Sequence, residues 1–273
     1  MTSHYFENSL VKLHYYKYGS GPNAMLCFHG YGMHGKQFRI MEAQLGSKYT
    51  FYGFDLFFHK ETKLVDQSLD HIKRGISKKE LAGLFTQFCA HENIEKFSVI
   101  GYSMGTHYAT IMAEELAHRI NEYIVAAPSA FKPGVLVRFF STNKFGNKIL
   151  EKLAFSDKAI LHFLSFYRKL NLIDSKNHEI LLKEIGTREL RFNFYASLTY
   201  LRFLDLDSRR LEQELLQHQV KSIFVFGKRD KMYPERIGKF LIPKLKSAEV
   251  ILLDENHDLI NKNFADKLSA ILI

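Results

Sequence analysis

Cysteine is scarce: Cys27 and Cys89 are the only two in 273 residues, and both sit in apolar surroundings. Two such residues make neither a disulfide framework nor a metal-ligand spacing, so they read as small buried hydrophobes. No apolar run approaches the roughly 20 residues that a membrane helix needs. The first eight residues are polar and lack a basic-then-apolar signal, so the expected setting is reducing and cytoplasmic. Internal repeats and low-complexity segments are missing as well. The formal charge is +9, yet the basic residues are scattered and no nucleic-acid module is recognisable. Nucleic-acid binding is therefore not expected, and the charge is left to solubility and to steering an anionic substrate.

What is present is an ordinary globular composition, 46% hydrophobic and 25% charged, on a chain that suits one domain carrying an insertion. Residues 10–18 alternate in polarity, as an early strand does. The runs at 24–28, 49–54, 97–100, 123–127, 222–226 and 249–253 read as strands; 24–28 is continuously apolar, as expected of a strand buried on both faces, and 123–127 is another buried strand. Between them the pattern predicts helices over 36–45, 78–91 and 103–118, another opened by Pro234, and a closing helix to about residue 270. Residues 56–77 are irregular. Alternation of this kind predicts an α/β fold with a doubly wound, mostly parallel sheet.

The alternation stops between residues 131 and 218, which show helical periodicity and no convincing strand. The clearest case is Ile160, Leu161, Phe163, Leu164, Phe166, Tyr167 and Leu170, apolar nearly all round one helix. This stretch holds 15 Lys and Arg against 10 Asp and Glu. It is expected to be an all-helical insertion, with 1–130 and 219–273 forming the core.

Gly101-Tyr102-Ser103-Met104-Gly105 lies between a predicted strand and a predicted helix. Glycines two before and two after a serine allow the sharp, strained turn of a nucleophile elbow. In open α/β sheets functional groups gather past the carboxyl ends of strands. Tyr31 (in His29-Gly30-Tyr31-Gly32-Met33-His34-Gly35), Ser103, Asp230 and His257 each follow such an end. The order Ser, Asp, His is the one expected with this elbow. On these residues the chain resembles the α/β-hydrolase superfamily over essentially its full length, with the helical insertion in the place of the family's cap.

The resemblance implies that Ser103 is the nucleophile, His257 the general base and Asp230 the residue that orients it. It implies an oxyanion hole from the backbone N–H groups of Met104 and Tyr31, with Gly32 as the alternative to Tyr31. His34 and Tyr102 are candidates for substrate binding. His29 is expected to shape its loop by bonding backbone, and His59 and His107 to be loop or surface residues. Asp55 and Asp254 are the competing carboxylates: Asp55 ends an earlier strand, and Asp254 is too near His257 in sequence. Three departures from the family pattern stand out: Leu56-Phe57-Phe58-His59-Lys60 replaces a proline-glycine turn, Thr106 a glycine, and Asn256 a glycine.

The function expected is a serine hydrolase that cleaves an ester or thioester of an apolar acyl group, the positive charge leaving room for an anionic leaving part. Carbon–carbon bond hydrolysis, acyl transfer by the same triad, and a non-catalytic binding module are the alternatives. No metal or organic cofactor is implied.

Overall fold

Each of those apolar runs becomes the centre of a strand. The computed structural model describes residues 1–156 and 186–273. Its strands are β1 (Thr2–Glu7), β2 (Val11–Gly19), β3 (Asn23–Phe28), β4 (Tyr49–Phe54), β5 (Lys63–Leu64), β6 (Phe97–Tyr102), β7 (Ile120–Ala126), β8 (Lys221–Gly227) and β9 (Ala248–Leu253). They lie in one sheet in the order β1-β2-β4-β3-β6-β7-β8-β9, with β5 beside β2. From β4 to β9 every pairing is parallel, while β2 pairs antiparallel with β1, β4 and β5. β1 is an edge strand with mostly exposed side chains, which is why hydrophobic patterning misses it. The strand order reverses between β3 and β6, so their carboxyl ends flank a crevice of the kind that binds ligands.

The helices are α1 (Glu42–Leu45), α2 (Leu69–Arg74), α3 (Lys78–His91), α4 (Gly105–Leu116), α5 (Val135–Thr142), α6 (Lys144–Phe155), α7 (Arg188–Tyr200), α8 (Ser208–Gln217) and α9 (Lys262–Leu272). α3 begins with a capping box, in which Ser77 and Glu80 each accept the other's backbone N–H. Such a cap contributes on the order of 1 kcal/mol. Two expected helices are shorter than the pattern suggests. Residues 36–45 form a 3₁₀ turn (Gln37–Met41) leading into α1, and the segment after Pro234 is a 3₁₀ turn (Glu235–Gly238).

The residues divide into two compact units. The first is Met1–Asp66, Ile76–Pro133 and Leu204–Ile273, and it holds the sheet. On one sheet face Met25, Cys27, Ile100, Ile124 and Val225 pack with Phe38 and with Phe264 and Leu268 of α9. On the other, Phe28 meets Phe85 edge-on at 5.1 Å and Phe54 meets Phe88 at 4.8 Å. These rings are fully buried, and truncating one to alanine costs about 3–5 kcal/mol. Both cysteines are free and fully buried, and burial pushes the Cys89 thiol up to about 11.

The second unit is Gln67–Gly75 and Gly134–Phe203. Asn143 caps α6, Asn147 donates to Thr199 Oγ1 at 2.8 Å, and Lys73 pairs with Glu151 at 2.8 Å. The apolar helix expected over 160–170 lies outside the described residues. The unit differs from the expected 131–218 insertion at both ends. α8 belongs with the sheet, because Leu211 and Leu215 are buried there and Asp207 N–H bonds Glu114 at 2.8 Å. α2, from the stretch read as irregular, belongs with the helical unit. Periodicity reports that a helix has a buried face, not which core it faces. Among the described residues no helix is long and apolar enough to cross a membrane.

Candidate active site

β6 runs directly into α4 through Ser103, whose φ is +49°. A left-handed conformation costs a side-chain-bearing residue about 1–2 kcal/mol. The surroundings impose it. Ser103 N–H donates to Ala126 O at 2.9 Å on the neighbouring strand. Its carbonyl accepts Thr106 N–H at 2.9 Å, Thr106 Oγ1 at 2.5 Å and Ser129 Oγ at 2.8 Å. A Cβ on Gly105 would stand 2.0 Å from Phe28 O, so the helix can approach β3 only with glycine there. Thr106 thus uses its hydroxyl to tie down the elbow.

His257, in the loop after β9, lies with Nε2 3.1 Å from Ser103 Oγ and Nδ1 2.8 Å from Asp230 Oδ2. Asp230 follows β8 and is buried, and its Oδ1 accepts the N–H groups of Met232 (2.8 Å) and Tyr233 (3.0 Å). Burial alone would raise its pKa. The hydrogen bonds from His257, Tyr233 and Met232 outweigh burial and hold the carboxyl below its ordinary range. The His257 ring stacks on Tyr102, centroids 5.5 Å apart, and about a third of its side chain meets solvent. One carboxylate, one imidazole and one hydroxyl therefore form a continuous relay ending at the half-buried Ser103. That arrangement suits nucleophilic catalysis.

The remaining candidates are placed as follows. Met104 stands at the N-terminus of α4, where backbone N–H groups and the helix dipole favour negative charge. The Tyr31 loop passes close to the elbow, since a Cβ on Gly30 would lie 3.6 Å from Ser103 Cβ. Gly32 N–H, the alternative donor, is committed to His59 Nε2 at 3.1 Å. His34 is partly buried and accepts Lys36 N–H at 3.2 Å, and burial lowers its pKa. Tyr102 changes role. It is 6% exposed and its hydroxyl donates to His257 O at 2.6 Å, so it braces the histidine loop instead of facing a substrate.

His29 shapes its loop as expected, bonding Gly30 O at 2.6 Å and accepting Leu56 N–H at 3.1 Å. His59 is a loop residue, as expected, but a buried one: it is 7% exposed and bonds Phe57 O at 2.9 Å. His107 Nδ1 lies 3.4 Å from Leu204 O. Asp254 is exposed and pairs with Arg229.

Asp55 is fully buried and bonds His14 Nδ1 at 2.7 Å, while His14 Nε2 lies 2.7 Å from Ser3 Oγ. This second Ser–His–Asp relay escapes sequence reading because its members belong to no motif. They come together only through the β1–β2–β4 pairing.

A family profile described as alpha/beta hydrolase fold matches residues 23–260. No curated protein matches the sequence. Among solved structures, MGS-M2, an alpha/beta hydrolase enzyme from a Medee basin deep-sea metagenome library, superposes with a TM-score of 0.70 at 16% identity, covering 98% of this chain and 95% of that one. A hydrolase from Pseudomonas aeruginosa PA01 gives 0.69 at 13% identity, covering 99% and 96%. The thioesterase domain from the curacin biosynthetic pathway gives 0.64 at 14%, covering 100% and 99%. At such identities the likeness is one of fold. With the profile spanning most of the length, the chain belongs to the alpha/beta hydrolase fold family, as an enzyme of the alpha/beta-hydrolase type.

Proposed function

We propose that the protein is a serine hydrolase that cleaves an ester or thioester of an apolar acyl group through an acyl-enzyme on Ser103. The observation that carries this reading is the Ser103–His257–Asp230 relay, with contacts of 3.1 and 2.8 Å. Ser103 Oγ attacks the acyl carbon as His257 Nε2 takes its proton. Asp230, held ionised by its three hydrogen bonds, keeps the Nδ1 proton facing itself and stabilises the imidazolium. The tetrahedral oxyanion is received by the N–H groups of Met104 and Tyr31, each such donor contributing about 3–4 kcal/mol. The same imidazolium then protonates the leaving alcohol or thiol. Water, activated by His257, releases the acid. Nucleophile, base and orienting carboxylate all come from the chain, so the proposed steps draw on no cofactor.

The substrate assignment rests on three further features. The helical unit carries exposed apolar side chains, Val135, Leu136 and Phe145 among them, in keeping with an apolar substrate. The formal charge of +9 favours an anionic leaving part. The fold likeness to a thioesterase domain agrees with a thioester among the substrates. A fluorophosphonate probe tests the core of the proposal: labelling that Ser103→Ala abolishes is expected. Folded protein that takes no label between about pH 6 and 9, where imidazoles lose their proton, would overturn it. p-Nitrophenyl esters of rising chain length test the acyl assignment, and a sharp preference for acetate would contradict it.

A further inference from the structure

Tyr31 lies between two peptide planes, and each is held by a buried imidazole. A trans peptide is planar, so fixing one of its polar atoms fixes the direction of the other. The Gly30 carbonyl, in one plane with Tyr31 N–H, accepts His29 Nδ1–H at 2.6 Å and Met33 N–H at 3.2 Å. The next plane is held through Gly32 N–H, which donates to His59 Nε2 at 3.1 Å. His59 Nδ1–H donates in turn to Phe57 O at 2.9 Å, which assigns the neutral tautomer with Nε2 as acceptor. The imidazole also meets the Tyr31 ring edge-on at 5.1 Å.

A second, independent observation concerns the turn that presents this imidazole. Phe58 and Lys60, on either side of His59, have φ of +62° and +49°. Both are left-handed, where glycine would sit without strain, and the expected proline-glycine turn is absent here. Strain retained on both flanks of one buried side chain points to a constraint on that side chain. Gly32, at φ +75°, supplies the complementary bend in the loop.

We propose that His59 is a positioning residue: His29 fixes the plane that carries the Tyr31 N–H, and His59, by clamping the next plane, keeps Tyr31 from rocking out of the direction required of an oxyanion donor. This rests on the reading of Ser103 as nucleophile. His59 touches no reacting atom; it acts through the backbone of Gly32.

The test uses His59→Phe, which keeps a ring against Tyr31 and removes the acceptor, and His59→Gln, which restores one. With a p-nitrophenyl ester, His59→Phe should lower kcat about ten- to hundredfold with KM within about threefold, as expected when a catalytic group is misplaced by about an ångström. Amide exchange at Gly32 should quicken in parallel. His59→Gln should recover most of both. In the wild type, a through-hydrogen-bond nitrogen–nitrogen coupling between Gly32 and His59 Nε2 is expected, a readout that needs no variant to fold. A missing coupling, or His59→Phe with unchanged kcat, overturns the proposal while leaving the Ser103 reading intact. A wild type that neither hydrolyses esters nor takes the fluorophosphonate label overturns both.

Discussion

The described residues hold two Ser–His–Asp relays with the same connectivity, and what surrounds them separates them. In the Ser103–His257–Asp230 relay the contacts are 3.1 and 2.8 Å; in Ser3–His14–Asp55 both are 2.7 Å. By distance alone the second is the tighter. Ser103, however, sits on a left-handed elbow at a helix N-terminus beside a glycine loop, with its histidine a third exposed. Ser3 lies in a regular antiparallel edge strand, paired with β2 from residue 2 to residue 7, and His14 is buried between Tyr5 and Tyr16. Asp55 spends its other oxygen on Gly35 N–H at 2.8 Å, anchoring the far end of the Tyr31 loop. A Ser–His–Asp chain is chemistry only where an oxyanion can also be received. The Ser3 chain is placed as a brace that ties the first strands to that loop.

The sharpest way to break this contrast is to remove each serine. Ser103→Ala is expected to lower kcat by about 10⁴–10⁶-fold on p-nitrophenyl esters. Ser3→Ala should stay within about twofold and cost about 1 kcal/mol of stability or less. Equal losses from the two variants would abolish the distinction.

The carboxylates should divide differently. Asp230→Asn is expected to lower kcat about 10⁴-fold by letting His257 adopt the wrong tautomer. Asp55→Ala orphans His14 Nδ1 and Gly35 N–H, so it should cost about 2–5 kcal/mol in urea unfolding.

Acid should expose the loop that joins the two relays. His29 and His59 both have pKa values lowered from 6.5, burial being the largest cause; Lys60 lowers both further and His59 lowers His29, while Asp55 and the bond to Phe57 O oppose the lowering at His59. The unfolded chain binds these protons first, so their stability contribution is complete above about pH 6.5 and declines as pH falls below it. Urea midpoints from pH 8 to pH 5 should fall, and the fall should shrink in His59→Gln. For Asp230 the depressed pKa has the corresponding consequence at lower pH. Its contribution is present above about pH 3.8 and is lost as pH falls through the folded value.

The smallest effects concern strain. Thr106→Val removes one of the three bonds to the Ser103 carbonyl, and about a tenfold loss of kcat is expected with little change in KM. Lys60→Gly relieves a left-handed lysine and should stabilise the fold by about 0.5–1 kcal/mol without altering kcat. A loss of activity there would show that the strain itself, and not only the imidazole it presents, matters to the loop.

Much of this was legible beforehand because it is local. Strands buried on both faces announce themselves as apolar runs, and five of the nine strands are of that kind; β9, at the sheet edge, leaves Val250 and Leu252 exposed. The elbow needs glycine at fixed offsets, so Ser103 could be singled out from five residues. Asp230 and His257 follow from strand ends and chain order. What remained hidden depends on partners distant in the chain. Helical periodicity could not say that α8 packs with the sheet and α2 with the second unit. Tyr102 looked like a site residue, but its hydroxyl is taken by His257, 155 residues away. The roles of His59, His14 and Asp55 arise where β2, β4 and the Tyr31 loop meet, and no spacing encodes that meeting. Sequence determined which residues stand at strand ends. Only tertiary structure decided which hydrogen bonds they keep, because a buried polar group bonds whatever the fold brings beside it.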